Sequence, residues 1–356
     1  MPVDWARPGG PRLDSAVARR KATDPGARIG SVVFGPGGPG DSGVERVASG
    51  IGRFSPEVRR CFGIVSFDPR GVGGSNPVTC SGGILAERPS PELKSQADFD
   101  ATLAYNRRLR ADCRARTGPV FDHLDTAQTV RDVDALRAAL GERKLAFHGS
   151  SYGTVLGAQY AESYPRRVRA MVLQADYAGL ATVIAERDAG EPLPASPTSS
   201  APLPSAVPVF CSDWHLPVRD YREYASLVAM MNRTAPDLPY VLPLHMTAAC
   251  LGAPTANPQH RLDARGTPPV LVSNALHDPA SGYPWAVSVA RQLGRSGVLL
   301  TYAGHGHGSV TSGPCMQDAV DGYLTDLAVP SRGTVCPAVP SWQLPEPGPP
   351  RARPQP

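Results

Sequence analysis

Ser151 lies at the centre of Gly149-Ser150-Ser151-Tyr152-Gly153, a Gly-x-Ser-x-Gly pentapeptide. Downstream stand Asp278, in His277-Asp278-Pro279-Ala280, and His307, in Gly304-His305-Gly306-His307-Gly308. A serine hydroxyl is a weak nucleophile at neutral pH. It becomes useful when a base takes its proton and an acid fixes the tautomer of that base, and serine, acid and histidine occur here in that order. His305 competes with His307 for the role of base. His307 is the better placed, because it stands further from the end of the preceding strand and Gly308-Ser309 follows it. Asp176 competes with Asp278 for the role of acid, while Asp213 and Asp263 read as solvated or structural. The plain alternative for the histidines is a solvated loop pair. A metal site is a poorer fit, since no acids or thiols lie close to them in sequence.

Acyl transfer also needs donors for the oxyanion that forms at the attacked carbonyl. The loop Phe34-Gly35-Pro36-Gly37-Gly38-Pro39-Gly40 follows an apolar run, and the expected donors are the Gly38 and Tyr152 amides. A glycine-rich loop also suggests phosphate binding. The Gly-x-x-x-x-Gly-Lys-Ser/Thr pattern is absent, however, and no Gly-x-Gly-x-x-Gly opens a helix at this point. Asp68-Pro69-Arg70-Gly71-Val72-Gly73-Gly74-Ser75 reads as a brace for that loop, through the charges of Asp68 and Arg70.

These residues need elements to position them. Ile29 to Phe34 and Phe62 to Phe67 are short, β-branched or aromatic, and closed by Gly/Pro turns, as strands buried on both faces are. Ala127 to Leu140 carries Val130, Val133, Leu136 and Leu140 at helical spacing and stops at Gly141. Lys144 to His148 then reads as a strand, Tyr152 to Tyr164 as a helix halted by Pro165, and Val168 to Leu173 as a strand. The pentapeptide thus sits at a strand-to-helix turn. That placement lends force to a motif that is common by chance. Between Asp176 and Pro268 the alternation lapses into a Pro/Ser/Ala-rich stretch and one helix, Tyr221 to Asn232. It resumes with Pro269 to Ser273 as a strand, Pro284 to Leu293 as a helix, Gly297 to Tyr302 as a strand and Cys315 to Leu327 as a helix. The expected fold is α/β, of the α/β-hydrolase kind: a mostly parallel sheet with helices on both faces and a reduced insertion.

The 356 residues suffice for one large core, and 36 basic against 32 acidic side chains leave a formal charge of +4 without a like-charge run or a basic stripe. Nucleic acid is therefore not an expected partner. No apolar run reaches the ~18 residues of a membrane helix. Met1-Pro2-Val3-Asp4-Trp5 does not resemble the start of an export signal. Many of the 39 prolines gather at the start, around residues 189–208 and at the end, which read as an extended entry, a linker-like insertion and a disordered tail. Of the seven cysteines, Cys61 opens a strand as a small buried hydrophobe would. Cys80, Cys113, Cys211, Cys250, Cys315 and Cys336 fall as successive neighbours outside the core strands. Three local disulfides with one free thiol is the reading, against seven unpaired thiols. Disulfides persist mainly outside the cytosol, so the cysteines point to export although no signal precedes them.

Together these motifs resemble the tripeptidyl-aminopeptidase-like branch of the proline iminopeptidase family, secreted α/β-hydrolases of actinobacteria. The resemblance rests on Gly37-Gly38-Pro39-Gly40 with Ser42-Gly43, on Phe67-Asp68-Pro69-Arg70-Gly71-Val72-Gly73, on Gly149-Ser150-Ser151-Tyr152-Gly153-Thr154, on His277-Asp278-Pro279-Ala280, and on Gly306-His307-Gly308 with the late cysteines. It implies a secreted exopeptidase that removes short peptides or single residues from free N-termini, without cofactor or metal. It also implies the pairs Cys80 with Cys113, Cys211 with Cys250 and Cys315 with Cys336. Residues 1–175 and 269–340 would form the hydrolase core, 176–268 a shortened cap and 341–356 a disordered tail. The family's long helical cap is mostly missing. Glu186, Asp188 and Glu191 are the acids left in the shortened stretch that could hold a substrate ammonium. The same machinery serves a carboxylesterase acting on small acyl esters, and loss of the cap also admits a non-catalytic remnant. An epoxide hydrolase or dehalogenase does not fit, because those members carry an aspartate where this chain has Ser151.

Overall fold

The computed structural model describes residues 1–174, 200–202, 206–234, 242–278 and 281–339. Asp176, Glu186, Asp188, Glu191 and the tail 341–356 lie outside the described residues. The main sheet contains β1 (Val17–Arg20), β2 (Gly30–Gly35), β3 (Phe62–Phe67), β5 (Leu145–Ser150), β6 (Val168–Gln174), β8 (Val270–His277), β9 (Gly297–His305) and β10 (Val335–Cys336). Its order is β1-β3-β2-β5-β6-β8-β9-β10, and every neighbouring pair is parallel except the edge pair β1·β3. Two short strands, β4 (Thr79–Ser81) and β7 (Ser200–Pro202), pair separately.

All six residues of β2, β3 and β5 are buried, which explains their unbroken apolar reading. Because side chains alternate across a strand, neighbouring residues enter different cores. Val32, Ile64, Ala146, Val172 and Leu271 join one, with Val58 from helix α2 (Pro56–Cys61) and Met316, Val320, Tyr323 and Leu324 from α11 (Pro314–Asp326). Val33, Val65, Phe147, Met171 and Val272 join the other, against α5 (Thr126–Ala139), α6 (Gly153–Ser163) and α10 (Tyr283–Gln292). Each large side chain buried in this way contributes about 1.5–3 kcal/mol. With helices on both faces of a parallel sheet, the expected α/β-hydrolase architecture is the one observed.

A smaller core lies beside the sheet. The 22-residue helix α4 (Gln96–Thr117) offers Phe99 and Leu103 to Tyr224 on α8 (Tyr221–Thr234) and to Leu244 and Ala248 on α9 (Leu242–Cys250). Cys80–Cys113 fastens α4 to β4, Cys211–Cys250 joins α7 (Ala206–Asp213) to α9, and Cys315–Cys336 joins α11 to β10. Cys61 is free and buried, as the last residue of α2 rather than the first of a strand. The first 13 residues do not form an extended entry. The Met1 amino group donates to the Leu13 carbonyl, Pro2 bridges Arg12, and Val3 and Leu13 are buried. Among the described residues no helix is long and apolar enough to cross a membrane.

Candidate active site

Of the parallel strands β2 comes first, β3 adds on one side of it and β5 on the other, so the order in which strands join the sheet reverses at the β2/β5 boundary. Loops at the carboxyl ends of such strands diverge and leave a crevice. The Gly35 loop and the pentapeptide both emerge there.

Ser151 follows β5 directly with φ of +51°, a left-handed conformation that costs a non-glycine residue on the order of 1–3 kcal/mol. Its surroundings hold it there. The Ser151 amide donates to the Gln174 carbonyl at the end of β6 (2.8 Å), and the Ser151 carbonyl accepts from the Thr154 amide (2.9 Å) and hydroxyl (2.7 Å). Close approach accounts for the flanking glycine: a Cβ on Gly153 would lie 2.2 Å from the Gly35 carbonyl oxygen. The β2 loop passes equally near, since a Cβ on Gly37 would lie 2.9 Å from that of Ser151. Asp68 braces this loop as expected, accepting from the Ser42 hydroxyl (2.6 Å), the Val44 amide (3.0 Å) and, across the brace, the Gly74 amide (2.9 Å).

Arg70 does not brace it. Its guanidinium is fully buried and forms a bidentate pair with Asp132 (2.8 and 2.7 Å), while donating to the carbonyls of Pro2, Val3 and His123. A buried arginine has five donors to satisfy, and here the turned N-terminal segment supplies acceptors that the loop does not.

Asp278 follows β8 and His307 follows β9. Both Asp278 oxygens accept from His307 Nδ1, at 2.9 and 2.8 Å. A carboxylate on Nδ1 fixes the proton there and leaves Nε2 as the basic nitrogen. Ser281, which the sequence reading passed over, donates its amide to Asp278 Oδ1 (2.9 Å) and its hydroxyl to Oδ2 (3.0 Å). The signal for it was Asp-x-x-Ser spacing, since an aspartate often accepts from backbone a few residues on. His305 ends β9, exposed and in register with His277, and the Asp278 bonds go to His307 instead. The acid and the histidine are therefore together, and Ser151 stands at the same edge of the sheet, at the end of β5.

Tyr152 and Asp213 form a second constellation. Tyr152 is the residue before α6, and its hydroxyl donates to Asp213 Oδ2 at 2.6 Å. Asp213 is 3% exposed and also accepts from the Thr126 amide (2.8 Å), the Thr126 hydroxyl (2.6 Å) and the Asn257 side-chain amide (2.7 Å). Burial pushes the Asp213 carboxyl up, while burial and the nearby Asp213 charge hold the Tyr152 phenol well above its usual range. Asp213 is thus structural rather than solvated; Asp263 is exposed and paired with Arg265.

Residues 242–336 match the family described as TAP-like protein. Over 180 residues the chain is 39% identical to the tripeptidyl aminopeptidase of Streptomyces coelicolor, covering 49% of this chain and 33% of that protein. Serine protease Hip1 of Mycobacterium tuberculosis is 37% identical over 182 residues (49% of this chain, 34% of Hip1), and carboxylesterase B of the same organism 39% over 181 (49% and 34%). The aligned stretch thus spans about a third of the length of the curated relatives it matches. A solved α/β-hydrolase fold protein from Chitinophaga pinensis aligns over 87% of this chain and 93% of its own at 14% identity, with a TM-score of 0.44. At that distance the sheet order and the elbow carry the fold assignment.

Proposed function

We propose that the chain is a serine hydrolase that cleaves amide bonds near a free N-terminus through an acyl-enzyme. Ser151 Oγ attacks the carbonyl, and His307 Nε2 takes the hydroxyl proton and returns it to the leaving amine. Asp278 holds the imidazole and stabilises its charged form, and the Gly38 and Tyr152 amides receive the oxyanion. Water then repeats the sequence on the acyl-enzyme. The observation that carries this reading is the left-handed Ser151 at the β5-to-α6 turn, pressed against the Gly37 loop. Backbone strain at a non-glycine residue persists where surroundings over-determine it, and functional sites are where such residues gather.

The relatives named tripeptidyl aminopeptidase and serine protease support a peptide substrate. Residues 176–268, as a shortened cap, would then bound the site. Three disulfides fit an extracellular protein, and secretion is the corresponding proposal. A carboxylesterase is the second reading, favoured by the relative of that name. Esters need less help for their leaving group, so a short cap suits them as well.

The test is covalent labelling with a fluorophosphonate, read by intact mass on the wild type and on Ser151→Ala. One adduct on the wild type and none on the variant is the expected result. A folded wild type that takes no adduct would sink the hydrolase reading. Relative rates on a peptide anilide and a short-chain ester then separate peptidase from esterase.

A further inference from the structure

We infer that Asp213 is a positioning residue for acyl transfer at Ser151, acting through the Tyr152 hydroxyl to hold the Tyr152 amide toward the oxyanion. The inference rests on the serine-hydrolase reading above and adds to it a residue from the inserted segment, outside the motifs that carry the chemistry.

Removing a carboxylate from water costs several kcal/mol unless its surroundings replace the lost hydration. Around Asp213 they do so in part, and without a cation among the described residues. Four neutral donors, two on each oxygen, fill the carboxylate: the Thr126 amide and Asn257 on Oδ1, the Thr126 hydroxyl and Tyr152 on Oδ2. Thr126 opens the 14-residue helix α5, whose positive end favours a negative charge. A carboxylate can only accept. The Tyr152 O–H must therefore point at it, and the 2.6 Å separation is that of a charge-assisted bond.

This bond fixes the far end of the side chain whose backbone amide is the proposed donor. The near end is fixed as well, because Ser151 is bound through its amide to Gln174 and through its carbonyl to Thr154. An amide held from both sides cannot swing away as charge develops on the substrate oxygen, and a donor that does not reorganise is worth most in the transition state. Asp213 is itself held in place. It ends α7, two residues beyond the Cys211–Cys250 bond, and Asn257 ties it to Gln159 on α6 (3.1 Å).

The experiment compares kcat and KM for a p-nitrophenyl ester in the wild type, Tyr152→Phe, Asp213→Asn and the double variant, with thermal unfolding of each. Each single change is expected to lower kcat about tenfold to a hundredfold with KM within about twofold, the pattern of a contact that matters in the transition state. The double variant should be no slower than the slower single, because both changes act through the Tyr152–Asp213 contact. An unchanged kcat in a folded Tyr152→Phe, losses that multiply in the double variant, or a loss carried by KM would each overturn the inference. If Asp213→Asn does not fold, Tyr152→Phe decides alone, since it deletes one hydroxyl and keeps the ring and the amide. A wild type inert to the fluorophosphonate overturns the hydrolase reading and this inference together. A labelled wild type with an unaffected Tyr152→Phe overturns this inference only.

Discussion

Asp278 and Asp213 are both buried and both tied to the proposed machinery, yet their surroundings differ in kind. Asp278 faces an imidazole, which can take a second proton and become its counter-charge, with Ser281 as support. Asp213 faces a tyrosine, a threonine and an asparagine, none of which becomes a cation. A carboxylate beside a titratable base answers a charge that comes and goes during a reaction. One filled by neutral donors has no partner whose charge changes with the reaction, and gives directional rigidity instead. The two acids also arrive differently: Asp278 directly follows core strand β8, while Asp213 ends α7, a helix stapled by a disulfide.

The largest expected effect separates these roles directly. Asp278→Asn should lower kcat about 10⁴-fold, because an amide can hold the imidazole with its proton on the wrong nitrogen. Steady-state kinetics beside Asp213→Asn checks this. Losses of the same size in the two variants would erase the distinction between them.

The next test concerns how the inserted acid is held. Replacing Cys211 and Cys250 by serine opens a loop with a sequence separation of 39, which should lower unfolding free energy by about 3–4 kcal/mol on a chain-entropy argument. Denaturant titration reads the loss. Unchanged stability would show that packing alone keeps α7 against the elbow.

The smallest effect is a slope with pH. Burial raises the Asp213 carboxyl above its ordinary value of 3.8, so the folded chain holds that proton more tightly than the unfolded chain. The stability this brings is complete below 3.8 and is lost as pH rises through the raised folded value. Asp213→Asn does not titrate and should therefore gain on the wild type as pH climbs through that window. Asp125, also raised by burial, titrates in both proteins and drops out of the difference. Thermal unfolding between about pH 3.5 and 7, bracketing the free carboxyl's range, reads the gap. A gap that stays flat would mean that the donors around Asp213 cancel its desolvation.

The strands that support the site were legible because they are buried on both faces and read as unbroken apolar runs, as in Phe62–Phe67. Other elements left no such trace. β1 is an exposed edge strand reading Val-Ala-Arg-Arg, and α4 presents only a narrow buried stripe along 22 residues, so neither shows a clean apolar period. Asp278 with His307 could be read from chain order and loop position. Asp213 could not, since its partners Thr126 and Tyr152 lie 87 and 61 residues away and nothing local distinguishes it from a surface acid. Arg70 failed for the same reason, its charge going to Asp132 and the first residues of the chain instead of to the nearby loop.

Cys61 has a consequence that reaches the other end of the chain. It is the first of seven cysteines, and the native bonds join the second to the third, the fourth to the fifth and the sixth to the seventh. If thiols oxidised strictly in order of emergence, Cys61 would take Cys80 and shift every later partner by one, stranding Cys336. The native pairing therefore requires that one sulfur be withheld. Cys61 sits at the junction of α2 and β3 among Val58, Phe62 and Ile64, in a core that Met316, Val320 and Leu324 of α11 complete, so the packing that joins the two ends of the chain is also what keeps the odd thiol out of the exchange.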